Sequence, residues 1–93
     1  HLKLGVINVE NNSVQNQSSE LWCQSIDLKF GNSVKSLRKK EIISQEQLAH
    51  LAKIDRTHMG HIERGNVSPS LKTMTQIALA LDVTLGYLLS NPQ

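Results

Sequence analysis

The sequence of 93 residues contains one cysteine, two prolines and only three aromatic residues, and it lacks a long hydrophobic run. The single cysteine, Cys23, excludes an internal disulfide and every multi-cysteine zinc site. The absence of a long apolar run excludes a membrane span, and no secretory signal is visible. We therefore expect a small soluble domain in a reducing, cytoplasmic setting, without a membrane partner.

Catalytic patterns are also missing. The serines lack a recognisable base, no glycine loop could cradle a phosphate, and the carboxylates are scattered along the chain. His58 and His61 stand three residues apart, with His50 before them, but neither a second ligand type nor a carboxylate pair completes a metal site. We expect no enzyme, no cofactor and no metal.

The charge is unevenly distributed. Residues 1–27 contain one lysine against three carboxylates, a net charge of −2, whereas the rest of the chain contains nine basic against five acidic residues, a net charge of +4. Basic charge on the folded part is compatible with a nucleic-acid partner, although such charges are usually only solvated.

The first residues differ in composition from the rest. Residues 8–19, NVENNSVQNQSS, have too little apolar surface to offset the entropy of ordering, so we predict a loop or a disordered arm there. The preceding LKLGVINV, residues 2–9, has the pattern of a short strand. The chain begins with histidine, which suggests that part of this arm is not native.

We divide the chain into an N-terminal arm, residues 1–27, that is polar and in part disordered or non-native, and a domain, residues 28–93. Trp22, Cys23 and Ile26 are candidates to dock a short helix onto that domain, or they have no such role.

Helical signals follow from about Asp27. Phe30, Val34 and Leu37 recur at helical spacing and predict a first helix that ends near Glu41. Ser44 with Gln47 forms a capping-box pattern that starts a second helix reaching to about Ala52, and Asp55 can cap a third helix over Arg56–Arg64. Two apolar pairs stand where hydrophobic staples need them: Ile43 with Leu48, and Ile54 with Met59.

Two further helices are predicted after Gly65, which has the position of a C-terminal cap. Ser70 can cap a fourth helix, with Ser68 and Pro69 as a rival start, and Thr84 can cap a fifth. The apolar stripe of the fourth helix consists of Leu71, Met74, Ile77, Ala78 and Leu81, and Val83 with Leu88 would staple the fifth. These patterns predict an all-α domain of five short helices.

The third helix has one polar and one apolar face. At about 100° per residue, Met59 and Ile62 fall opposite a face that consists of Arg56, Thr57, Gly60, His61 and Arg64. A glycine within a helix costs about 1 kcal/mol, and no packing demand for Gly60 is visible in the sequence. Close approach of a DNA backbone to a helix lying in the major groove would explain it.

The run from Ser44 to Leu85 resembles the lambda-repressor-like helix-turn-helix family, which includes phage repressors, Cro proteins, antitoxins and restriction-modification controller proteins. The resemblance covers residues 28–89, and the Arg-Thr pair that opens the third helix is most similar to controller proteins. It implies a compact five-helix DNA-binding domain. The matching positions are Gln45, Leu48, Ala49, Ile54, Met59, Ile62, Glu63, Gly65, Pro69, Ser70 and Leu71.

Two positions depart from the family pattern. The family often has glycine at the end of the first helix and in the turn of the helix-turn-helix, where this chain has Ile42 and Lys53. A left-handed backbone at a residue other than glycine costs roughly 1–2 kcal/mol. Either the turns differ here or the fold absorbs that strain.

The resemblance and the helical wheel together assign roles. Arg56 can hold guanine O6 and N7 together, and the expected base contacts are Arg56, Thr57, Gly60 and His61. The expected phosphate contacts are Gln45, Arg64, Ser70 and Lys72. The resemblance also implies an ion pair of Arg38 with Glu63. The plainer alternative is that Arg56 only answers Asp55, Thr57 fills a first-turn position and His58 borders the core.

The function that we expect is sequence-specific transcriptional regulation, by a homodimer that binds a palindromic site in double-stranded DNA. Candidate dimer contacts are Leu85, Tyr87, Leu88 and Leu89, unless all four belong to the core. The alternative is an antitoxin-type module whose main partner is another protein.

Overall fold

The computed structural model describes residues 12–90 and contains no strand in that range. Five helices follow one another: α1 (Asn12–Lys40), α2 (Gln45–Ala52), α3 (Arg56–Arg64), α4 (Leu71–Ala80) and α5 (Leu85–Ser90). The strand predicted for residues 2–9 lies outside the described residues. None of these five helices has the length and apolar character that crossing a membrane requires.

Helix α1 begins much earlier than predicted. The loop expected over residues 8–19 is wrong for residues 12–19, which are helical, while residues 8–11 lie outside the described part. The sequence has no proline or glycine between Gly5 and Gly31 to end a helix, and each residue added to a formed helix costs little. The division at residue 27 therefore falls inside a continuous helix, on which Trp22 is 60% exposed and Ile26 48%.

The core lies where α1 packs against α3 and α5, and where α2 packs against α3 and α4. Burying one large apolar side chain stabilises the fold by about 1.5–3 kcal/mol. Leu71 does not share in the predicted stripe of α4, because it opens that helix at the edge of the core and remains 66% exposed. The buried apolar residues are Phe30, Val34, Leu37, Leu48, Ala49, Ala52, Met59, Ile62, Ile77, Ala78, Leu81 and Leu88.

Side-chain caps start helices α2 to α5 as the sequence predicts. The Ser44 hydroxyl accepts from the Gln47 N–H at 3.0 Å, and the Gln47 amide oxygen accepts from the Ser44 N–H at 2.7 Å. Asp55 accepts from two backbone N–H groups of α3, at 2.9 and 3.3 Å. Of the two possible starts of α4, Ser70 is the cap. The Thr84 hydroxyl accepts from the Tyr87 N–H at 3.0 Å.

Helices α1 and α3 approach so closely that their backbones touch at Gly31. A Cβ atom there would collide with the carbonyl oxygen of Ile62 and lie 2.8 Å from that of Glu63. Gly31 therefore sets the distance between the two helices. Its role was not apparent from the periodicity of the sequence.

The two turns that depart from the glycine pattern are left-handed all the same. Ile42 has a φ of 59° and Lys53 a φ of 61°, and Asp82 adopts the same conformation with a φ of 60°. The fold therefore absorbs the strain rather than changing the turns.

We expect Ile42→Gly to raise the free energy of unfolding by about 1 kcal/mol, because relief of left-handed strain exceeds the added entropy of the unfolded chain. The side chain is 88% exposed, so its loss removes little packing. Guanidinium chloride unfolding measures the change. Ile42→Ala is the control, since it removes the isoleucine side chain beyond Cβ but keeps the Cβ atom that causes the strain. Equal stability of the two variants would contradict the strain argument.

Candidate nucleic-acid interface

The polar face of α3 is turned away from the core. Met59 and Ile62 are buried on the opposite side, while Arg56, Thr57 and Arg64 are exposed. The helix is bounded by Asp55, which caps its start, and by Gly65, whose φ of 74° ends it. The apolar face of this short helix therefore packs into the core, while much of its polar face is left exposed.

A buried carboxylate joins α3 to α1. The Glu63 side chain is 2% exposed and accepts from Arg38 Nε at 2.7 Å and from Arg38 Nη2 at 3.0 Å. The remaining nitrogen, Arg38 Nη1, donates to the carbonyl oxygen of Ile43 at 3.0 Å. The guanidinium thus holds both the α1–α2 turn and α3, which makes Arg38 and Glu63 part of the framework rather than of a DNA-facing surface.

The same carboxylate also holds the start of α2. Gln45 Nε2 donates to Glu63 Oε1 at 3.0 Å. Because a carboxylate that accepts from Arg38 has no proton to give, this bond fixes the orientation of the amide, with its nitrogen toward Glu63 and its oxygen turned away. This bond was missed by sequence reasoning, because the two residues are 18 positions apart and no local pattern connects them.

The expectation for Gly60 needs correction. Gly60 is buried, and a Cβ atom there would lie 3.2 Å from Arg64 Nη1 and 3.4 Å from Gln45 Oε1. The need for a small residue at position 60, which the sequence does not show, therefore comes from the Arg64 and Gln45 side chains and not from DNA. Gly60 does not offer its own surface to a base.

Arg64 lies over the middle of α3. Its Nη2 atom is 3.1 Å from His61 Nδ1, and its guanidinium borders a shallow depression on the polar face. The residues that line this depression are Gln45, Arg56, Thr57, Gly60 and Arg64. Four of the residues to which the sequence assigns DNA contact thus surround the fifth, Gly60.

Of the other two residues expected to contact phosphates, one is free to do so and one already has hydrogen-bond partners within the chain. Lys72 is exposed at the start of α4. The Ser70 hydroxyl is occupied, since it accepts from the Thr73 N–H at 3.1 Å and donates to Thr73 Oγ1 at 3.0 Å. Within residues 12–90, no group of three or more histidine, cysteine or acidic residues is placed to hold a metal ion.

The structure contradicts one of the four residues expected at the dimer interface. Leu88 is 1% exposed and belongs to the core, because it faces inward from the short helix α5. Tyr87 and Leu89 are exposed on that helix, and Leu85 is partly buried against the core.

We expect Glu63→Ala to destabilise the domain by about 3–5 kcal/mol, because it leaves the Arg38 charge, only 11% exposed, without its partner. Arg56→Ala removes an exposed side chain and should change stability by less than about 0.5 kcal/mol. Thermal melts of both variants measure this difference. If Arg56→Ala proved the more damaging, the division of α3 into a core and a free face would be wrong.

Comparison with known proteins agrees with this geometry. A helix-turn-helix family model matches residues 34–88. Control protein C.MunI from Mycoplasma sp is 39% identical over 67 residues, which cover 71% of this chain and 90% of that protein. The immunity repressor protein of Bacillus phage phi105 is 34% identical over 66% of this chain, which matches only 42% of the repressor.

A solved structure extends the similarity to three dimensions. The restriction-modification controller protein C.AhdI from Aeromonas hydrophila has 39% sequence identity and a TM-score of 0.65, over 67% of this chain and 94% of that one. Over that 67% of the chain, the two proteins are therefore similar both in sequence and in the arrangement of their helices. The chain therefore belongs to the lambda-repressor-like helix-turn-helix family of DNA-binding transcriptional regulators and is similar to restriction-modification controller proteins.

Proposed function

We propose that this chain is a repressor or controller protein that binds a palindromic operator as a homodimer, with α3 in the major groove. The observation that carries the proposal is the exposed polar face of α3, opened by Arg56 and Thr57 and bordered by Gln45 at the start of α2. The similarity to C.MunI and C.AhdI supports the regulatory role.

Arg56 is the main base-reading residue in this proposal. Its guanidinium can donate two parallel hydrogen bonds to guanine O6 and N7, the commonest specific contact in the major groove. The plainer alternative, that Arg56 only answers Asp55, is weakened because the structure shows no ion pair between these two side chains. Thr57 and His61 add contacts along the same face, and Lys72 neutralises a phosphate.

The small size of the reading surface supports the homodimer. One helix of nine residues contacts few base pairs, whereas a two-fold pair reads two half-sites about 34 Å apart. Tyr87 and Leu89, both exposed on α5, supply apolar surface for the contact, with Leu85 at its edge. Leu88 holds α5 to the core behind them.

Tyr87→Glu should weaken dimerisation at least tenfold, because it places a charge on the proposed apolar contact. Sedimentation equilibrium measures the monomer–dimer constant. The matched control is Leu79→Glu, a change at an even more exposed apolar residue on α4. Dimers of unchanged stability in Tyr87→Glu, or equal weakening in both variants, would count against α5 as the interface.

DNA binding is tested by fluorescence anisotropy on the duplex upstream of the gene and on a scrambled duplex, across a salt series. We expect a preference of about a thousandfold and a steep fall in affinity with salt. Arg56→Ala should lose most of the preference while its thermal melt stays unchanged. Equal, weak binding to both duplexes would contradict the regulator proposal for that DNA, and a pull-down would then test for the partner protein of an antitoxin.

A further inference from the structure

We propose that Arg64 reads a guanine in the major groove, rather than a phosphate, and that Gly60 is the seat that places its guanidinium there. This inference rests on the proposed function, since it assigns a base contact within the same DNA-binding face. It changes the expected role of Arg64 from backbone contact to specificity.

The position of the guanidinium is the first argument. Side chains on a helix lean toward its N-terminus, so Arg64 covers the surface one turn earlier, at Gly60. Its Nη1 and Nη2 atoms lie 3.2 and 3.7 Å from the point where a Cβ of residue 60 would stand. A Cβ there would crowd Nη1, so glycine leaves room for the guanidinium in this position, at a residue type that helices otherwise disfavour.

Two acceptors border the seated guanidinium. His61 Nδ1 lies 3.1 Å from Arg64 Nη2, and because a guanidinium can only donate, Nδ1 is the acceptor in this bond. On the other side, Gln45 Oε1 lies 3.4 Å from the same Cβ position, with its direction fixed by the bond of Nε2 to Glu63. His61 on α3 therefore holds the guanidinium, and Gln45 on α2 borders the same position at Gly60.

The location of the Arg64 guanidinium favours a contact with a base over a contact with a phosphate. The guanidinium borders the depression that Arg56 and Thr57 also line, so it lies over the middle of the polar face and not beyond the C-terminal end of α3. In helix-turn-helix proteins the N-terminal part of the recognition helix contacts the base edges, and the Arg64 side chain brings its guanidinium back toward that part, to Gly60. A planar guanidinium at that point fits guanine O6 and N7.

The test begins with duplexes selected from a randomised pool by the wild-type chain, followed by base preferences of the variants at each selected position. Arg64→Ala should lose the preference for one guanine by roughly tenfold or more and keep the preferences at other positions. Lys72→Ala is the matched control for a phosphate contact, and it should weaken all duplexes alike and reduce the salt slope by about one.

Gly60→Ala tests the seat itself. The added methyl group should displace the Arg64 guanidinium, so this variant should lose the same guanine preference as Arg64→Ala. Because alanine favours a helix, its melting temperature should rise by roughly 4 °C. Gly31→Ala is the contrasting glycine variant: its Cβ meets the backbone carbonyls of Ile62 and Glu63, so its melting temperature should fall.

Opposite results would overturn the inference without touching the proposed function. If Arg64→Ala weakened every selected duplex equally and lowered the salt slope, Arg64 would be a phosphate contact. If Gly60→Ala kept the wild-type preferences, Gly60 would not be the seat. A wild-type chain that selects no sequence would instead remove the proposed function and this inference together.

Discussion

The Glu63 carboxylate, buried at the junction of three helices, is the constraint on which the arrangement of this domain depends. A buried carboxylate is costly unless each of its oxygens finds a donor. Here Oε2 accepts from Arg38 Nε, and Oε1 accepts from both Arg38 Nη2 and Gln45 Nε2. These bonds can form together only when α1, the start of α2 and the end of α3 occupy one relative position. The geometry of the helix-turn-helix is therefore coupled to the satisfaction of a single charge, and a shift of any one helix would leave that charge partly unsatisfied.

The strained turn after α1 belongs to the same arrangement. Ile42 has left-handed backbone, which costs roughly 1–2 kcal/mol, and this turn brings Ile43 back against Arg38. The Ile43 N–H donates to the Arg38 carbonyl at 3.2 Å, and the Ile43 carbonyl accepts from Arg38 Nη1 at 3.0 Å. The third nitrogen of the guanidinium thus finds its acceptor through the turn. Backbone contact at Gly31 lets α1 and α3 come close enough for the ion pair. The strained turn supplies an acceptor for Arg38, and the close approach of α1 and α3 brings Arg38 within reach of Glu63, so both serve the buried ion pair.

The features that could be predicted from the sequence are those that local interactions determine, namely the helix caps and the two faces of α3. Caps such as Ser44 and Asp55 act within three residues, and the apolar spacing of α3 separates its faces without knowledge of the rest of the fold. Most of the failures are of longer range. The bond of Gln45 to Glu63, the burial of Gly60 and the inward direction of Leu88 depend on which helices meet, and periodicity does not contain that information. The early start of α1 has a different cause: its polar residues have modest helix propensity and so predict a loop, although no residue there ends a helix.

Gly60 shows how the framework and the recognition face are connected. The carboxylate that joins the helices also turns the Gln45 amide, so that its oxygen faces Gly60 on the polar side of α3. An alanine at that position would favour the helix by about 1 kcal/mol, yet it would occupy the space into which Gln45 and Arg64 extend. A departure from local helix preference is expected where a function requires it. The glycine in α3 is therefore best explained by the side chains placed above it, and the stability that it forgoes, about 1 kcal/mol, is small beside the roughly 3–5 kcal/mol that loss of the Glu63 carboxylate would cost.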